Sequence, residues 1–171
     1  MRTDRNIRNW TAGAVLLASV FMASGLTGAW AATTSSTFNV TITITATCSI
    51  ASAGSLSFGT VGLLTANIDS TATLSVLCTN TTPYNIGLNA GTTTGATTTT
   101  RLLANGATTI GYRMFSDSGR SSNWGNTVGT DTVSATGNGS AQNFVVYGRV
   151  PVQTSVAPGT YTDIVTITVT Y

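Results

Sequence analysis

From Phe38 to Ala46 every second residue is apolar. Phe38, Val40, Ile42, Ile44 and Ala46 alternate with Asn39, Thr41, Thr43, Thr45 and Thr47. A period of two places these sets on opposite faces of a β-strand. β-Branched residues dominate, and neither Gly nor Pro interrupts residues 37–50. The run is long: from Phe38 to Ile50 it would reach on the order of 43 Å at about 3.3 Å per residue, whereas sandwich strands usually hold about five or six residues. Two readings stay open. The run is the ordinary first strand of a complete sandwich, or it does two jobs in series. In the second, Ile44 onward belongs to the domain, and Phe38 to Ile44 projects with an unsatisfied apolar face.

The same period recurs downstream. Ala72, Leu74, Val76 and Cys78 predict a strand whose apolar face is core. Tyr84, Ile86 and Leu88 follow Pro83; Ile110, Tyr112 and Met114 make another strand. Phe144, Val146, Gly148 and Val150 make a penultimate one, with Tyr147 and Arg149 on its other face. Leu56-Ser57-Phe58-Gly59 is a short apolar segment leading into a loop. The low-complexity tract Gly91 to Thr100 reads as an exposed loop or hairpin tip, and Ser116 to Ser140 is rich in Ser, Gly and Asn around Trp124. Pro158-Gly159 is a turn, after which Val165, Ile167, Val169 and Tyr171 alternate to the last residue. No helical periodicity appears beyond the first 31 residues, so the pattern predicts an all-β sandwich.

Residues 1–31 read as a signal peptide rather than as part of the fold. Arg2, Arg5 and Arg8 precede an apolar core, Ala14 to Ala23, and Ala29-Trp30-Ala31 offers a small-x-small cleavage site. The apolar stretch is shorter than the roughly 20 residues that a membrane span needs. Removing it leaves four Arg and four Asp, hence no net charge, with no Lys, Glu or His anywhere. A neutral chain of this kind gives no electrostatic footing for nucleic acid. Threonine supplies 36 of the 171 residues, giving the solvent face polarity without charge. Low charge promotes association, which for an exported chain of alternating strands suggests that association is its purpose. In an exported protein the pair Cys48 and Cys78 reads as a disulfide. Metal binding is the weaker alternative, since two thiols with no His and scattered Asp make a poor site.

The last strand mirrors the first. It ends at Tyr171 while still alternating, and such a strand must be covered on its edge or it invites pairing with another chain. An unattached strand near the start and an uncovered one at the end are complementary defects.

Several motifs in order resemble a known family. Tyr112-Arg113-Met114-Phe115-Ser116-Asp117, with Arg120 and Trp124-Gly125, resembles the middle signature of the spore coat protein U domain. Tyr147-Gly148-Arg149-Val150 and Pro158-Gly159-Thr160-Tyr161-Thr162-Asp163 resemble its C-terminal signature. The likeness covers residues 37–171. It implies an incomplete immunoglobulin-like sandwich completed by a donor strand from a neighbouring subunit, as in pilins of the archaic (Csu-type) chaperone–usher pathway. Carried onto this chain, Phe38, Val40, Ile42 and Ile44 become the donor side chains, and Val165, Ile167, Val169 and Tyr171 line one wall of an acceptor groove. The implied organisation is a signal peptide (1–31), a donor extension (32–46) and a pilin domain (47–171). The implied partners are copies of itself in a fibre, a periplasmic chaperone and an outer-membrane usher, with no nucleic acid and no small-molecule substrate. The implied location is the cell surface, reached through the periplasm.

The residues point away from enzymes: without His, Glu or Lys, and with both cysteines paired, no nucleophile–base pair or carboxylate couple assembles. The expectation is therefore no catalytic residue, no metal and no cofactor. A spore-coat-type structural protein and a carbohydrate- or surface-binding module with an exposed Trp124 are the alternatives to the pilin. Trp124, Tyr147 and Tyr161 otherwise read as packing or corner residues. Asp117 with Arg120, and Arg149 with Asp163, are candidate surface ion pairs.

Overall fold

The computed structural model describes residues 30–154 and 156–171; most of the expected signal peptide lies outside them. The chain divides into two units, Met1–Thr41 and Ile42–Tyr171. In the first, the described residues 30–41 form no strand and are all exposed.

The second unit is built of strands alone among the described residues: β1 (Cys48–Ala53), β2 (Ile68–Cys78), β3 (Pro83–Leu88), β4 (Arg101–Asn105), β5 (Thr108–Phe115), β6 (Val133–Thr136), β7 (Ala141–Val150) and β8 (Ile167–Thr170). They make two sheets, β1-β2-β7-β5-β4 and β6-β3-β8, with antiparallel ladders throughout. Alternate residues of each sheet meet between them. Leu74, Val76 and Cys78 of β2, Tyr112 and Met114 of β5, and Val146 and Val150 of β7 pack with Tyr84, Ile86 and Leu88 of β3. Trp124 completes this core, fully buried, its indole N–H donating to the Ile86 carbonyl (2.8 Å). It is a packing residue and offers no exposed binding surface.

Cys48 and Cys78 form the disulfide, directly opposite one another in the β1–β2 ladder with Cα atoms 4.1 Å apart. Closing a loop of this length stabilises by roughly 3 to 4 kcal/mol in the chain-entropy model.

The long first strand is shortened from its front. The strand starts at Cys48, just after Thr47, whose carbonyl accepts from the Thr79 N–H (2.9 Å), and residues 38–47 form no strand and stand exposed. Alternation prepares a segment for a sheet, but its N–H and C=O groups need a neighbouring strand before a ladder exists. The last strand narrows likewise to Ile167–Thr170. Two strands carried no apolar alternation clear enough to be expected, β4 and β6. β4 joins β5 through a two-residue turn, Gly106-Ala107, with Gly106 at φ +59°. A Gly at the first turn position with positive φ suits the right-handed twist of a hairpin. Leu56 and Phe58 pair with nothing; they fold over β7, where a Cβ at Gly148 would stand 2.7 Å from Leu56 Cδ2 and 2.9 Å from Phe58 Cζ.

Candidate functional site

β8 is an edge strand. Its described ladder partner is β3 alone, in the register Ile86↔Val169 and Leu88↔Ile167. The Asn89 N–H donates to the Thr166 carbonyl (3.1 Å), and the Thr166 N–H to Asn89 Oδ1 (2.8 Å). Antiparallel hydrogen bonds alternate along a strand. Thr168 and Thr170 therefore point their backbone groups at β3, while Ile167 and Val169 point theirs at the open side.

Beneath that edge the two sheets part around a groove of ≈ 280 Å³, lined mainly by apolar side chains, with Ser55 and Asp163 among them. One wall carries Leu88, Val165 and Ile167; the other carries Leu74, Leu103, Tyr112, Met114 and Val146, with Leu56 and Phe58 at the margin. Its polar end is closed internally. Tyr112 Oη donates to Asp163 Oδ2 (2.7 Å), and the Thr92 N–H donates to Asp163 Oδ1 (2.9 Å). Burial, and then this bond to Asp163, push the Tyr112 phenol far above its ordinary value.

Arg101, the first residue of β4, holds the wall in place. Its side chain is fully buried and donates to four carbonyls: Nη2 to Leu88 (2.8 Å) and Trp124 (2.7 Å), Nε to Asn89 (2.7 Å), and Nη1 to Thr98 (2.8 Å). One planar fork thus ties the end of β3, the Trp124 loop and the threonine tract together. Burial lowers its pKa from the usual arginine value. Sequence reasoning did not single out Arg101. The available signal was an arginine placed between the threonine tract and an apolar Leu102-Leu103 pair, in a chain with very little charge.

Of the expected acceptor residues, Val165 and Ile167 line the groove and Val169 packs half-buried against the core. Tyr171 is exposed and borders a second cleft of ≈ 460 Å³ together with Ile44, Thr79 and Pro83. The expected donor side chains are solvent-exposed: Phe38 85%, Val40 82%, Ile42 85% and Ile44 74%. Among the described residues no group of three potential ligands gathers to hold a metal ion.

The expected ion pairs are replaced by others. Arg149 pairs with Asp69 through Nε (2.7 Å) and Nη2 (2.8 Å), and Arg120 Nε lies 3.3 Å from the same carboxylate. Asp69 is opposite Arg149 in the β2–β7 ladder. Asp163 is engaged by Tyr112, and Asp117 accepts the N–H groups of Ser122 (2.7 Å) and Ser121 (3.0 Å) within its own loop. Tyr147 lies under the Arg120 guanidinium (5.8 Å), and Tyr161 Oη donates to the Ala157 carbonyl (2.9 Å).

The hydrogen bond from Arg149, helped by the charges of Arg120 and Arg149, holds the Asp69 carboxyl below its ordinary range. The Ser122 N–H does most to lower Asp117. A depressed carboxylate contributes its stability fully above the unfolded value of about 3.9, and loses it as pH falls through the lower folded value. The melting temperature should therefore drop between about pH 4 and pH 2, and Asp69→Asn should blunt that drop. An equal drop in the variant would remove Asp69 from the acid response.

With this geometry in view, a model of the spore coat protein U domain matches residues 33–168. The chain belongs to the spore coat protein U domain family. "Protein U" of Myxococcus xanthus is similar to it, 34% identical over 156 residues, covering 82% of this chain and 87% of that protein. Among solved structures, the chaperone–tip adhesion subunit pre-assembly complex CsuC–CsuE, from archaic chaperone-usher Csu pili of Acinetobacter baumannii, matches with a TM-score of 0.50 and 24% identity. The match covers 75% of this chain and 40% of that one, so the chain spans well under half the length of its structural neighbour. That likeness bears on the fold: this spore coat protein U domain is an all-β, immunoglobulin-like sandwich.

Proposed function

We propose that this protein is a structural subunit of a chaperone–usher pilus that polymerises by donor-strand exchange. Residues 1–31 direct export, 32–46 are the donor extension and 47–171 the pilin domain. The observation that carries the reading is the unpaired β8 edge above an apolar groove, in a chain that also holds an exposed alternating segment. Phe38, Val40, Ile42 and Ile44 of one subunit fill the groove of the next, beside Val165, Ile167 and Val169, with Tyr171 at the far end of the same wall. The Csu complex pairs a chaperone with its subunit. By analogy a periplasmic chaperone covers the groove before assembly, and an outer-membrane usher exports the fibre to the cell surface, where it serves adhesion and biofilm formation. The subunit is a building element, not an enzyme.

Ile42→Asp tests this reading, because it sets an unpaired charge in an apolar groove. Co-expressed with chaperone and usher, the variant should accumulate as soluble subunit–chaperone complex, and electron microscopy should find no fibres. Normal filaments from Ile42→Asp would remove the donor assignment. The family relationship to Protein U favours one second reading, a secreted coat component. It differs in needing no usher for assembly.

A further inference from the structure

Among the described residues the chain has four arginines and four aspartates, and these are its only charged side chains. Arg101 is buried. The other three arginines gather on one surface, the outer face of the β2–β7–β5 ladders. Asp69, Arg149 and Arg113 form a single row across the three strands, and the next row is Thr71, Tyr147 and Phe115. Arg120 reaches the same face from the loop after β5. Its backbone is left-handed at φ 57°, and its guanidinium lies over the Tyr147 ring.

Two of these guanidinium groups, Arg149 and Arg120, thus share the Asp69 carboxylate, and Arg113 stands beside them in the same row. Arg113 and Arg149 are directly opposed across the β5–β7 ladder, an arrangement that like charges disfavour. Arg113 is exposed, and no hydrogen bond or ion pair engages its guanidinium among the described residues. A surface made polar almost wholly by Thr, Ser and Asn has little structural use for such a row. We propose that this face binds an acidic polysaccharide, gripping its uronate carboxylates through the free Arg113 guanidinium, with the positive charge of Arg149 and Arg120 beside it.

Charge and shape choose this occupant. Guanidinium forks match carboxylates in bidentate geometry. The exposed hydroxyls of Thr71 and Thr73 on the same face suit sugar hydroxyls. Among the described residues, every aspartate that a second copy could offer is already engaged. Asp69 is held by Arg149, Asp117 by Ser121 and Ser122, Asp131 by the Thr127 N–H (2.7 Å), and Asp163 by Tyr112. Nucleic acid is disfavoured because its binding rests on neutralising many phosphates, and here three arginines and Asp69 leave a net charge of only +2.

The inference does not use the β8 groove and holds whatever fills it. Its test is binding of the full chain to immobilised polygalacturonate, with neutral dextran and duplex DNA alongside. Polygalacturonate should be retained, dextran should not, and binding should weaken as salt rises. Arg113→Gln should weaken binding about tenfold with an unchanged melting temperature and normal fibres, and Arg113→Glu should abolish it. Ile42→Asp should bind as the parent does, which separates this surface from assembly. Failure to retain polygalacturonate, equal binding by Arg113→Gln and the parent, or tighter retention of DNA would each overturn the proposal.

Discussion

A variant that lacks Ala32 to Thr43 and carries a copy of Thr37 to Thr47 after Tyr171 should be a monomer that folds without a chaperone. A turn linker of about two to five residues returns the appended strand antiparallel to β8. Its backbone then meets the N–H and C=O groups that Ile167 and Val169 point at the open side, and the exposed edge disappears. With alternate residues facing inward, the copied Phe, Val and two Ile side chains enter the groove while the threonines face water. Burying four such side chains contributes roughly 6 to 12 kcal/mol, at about 1.5 to 3 each, before the ordering of the segment is charged against it. The melting temperature should rise by at least about 10 °C over the truncated parent. Two outcomes would show that the sandwich is complete without a donor: a truncated parent that is already a stable monomer, or a tethered variant that aggregates as readily as that parent.

Arg101→Met, made in that tethered monomer, should cost about 3 to 5 kcal/mol. Methionine fills much of the volume but donates nothing. The carbonyls of Leu88 and Trp124, which share Nη2 in a buried setting, then lose their donor at roughly 1 to 3 kcal/mol each. The Asn89 and Thr98 carbonyls lose theirs at partly buried sites. Removing a desolvated charge offsets part of the loss, which keeps the figure below the full sum. Arg101→Lys should recover only a fraction, since an ammonium is a single point and the four acceptors surround a planar fork. Urea denaturation of the three proteins measures both effects. A methionine variant within about 0.5 kcal/mol of the parent, the usual spread for surface substitutions, would mean that the arginine fork does not hold the groove wall.

Much of the sandwich was legible as period-two runs. Leu74, Val76 and Cys78, Tyr84, Ile86 and Leu88, and Tyr112 and Met114 all lie on core faces as their spacing requires. The disulfide followed from an even cysteine pair in a chain whose first 31 residues read as an export signal. β4 and β6 were not legible. β6 is four residues long, half-exposed, and sits in a Ser- and Gly-rich stretch. β4 begins with a buried arginine that breaks the apolar pattern. The ion pairs were misjudged for a related reason. Pairing Arg149 with Asp163 weighed sequence motifs, whereas the true partner, Asp69, is 80 residues away and is opposite only because β2 and β7 share a ladder.

Alternation is a property of the chain itself, because successive side chains of an extended backbone must point to opposite faces. The sequence by itself therefore determined the all-β class, the inward residues of the long strands and the apolar stripe from Phe38 to Ile44. Which strands pair, and which edge is left over, depends on contacts between residues far apart in the chain. Only the tertiary structure decided that β8 has β3 on one side and an open groove on the other, and that Arg101 is buried among carbonyls. It also decided that the three arginines other than Arg101 share one sheet face. Register between distant strands is set by how the two sheets close over a common core, and no local pattern carries that information.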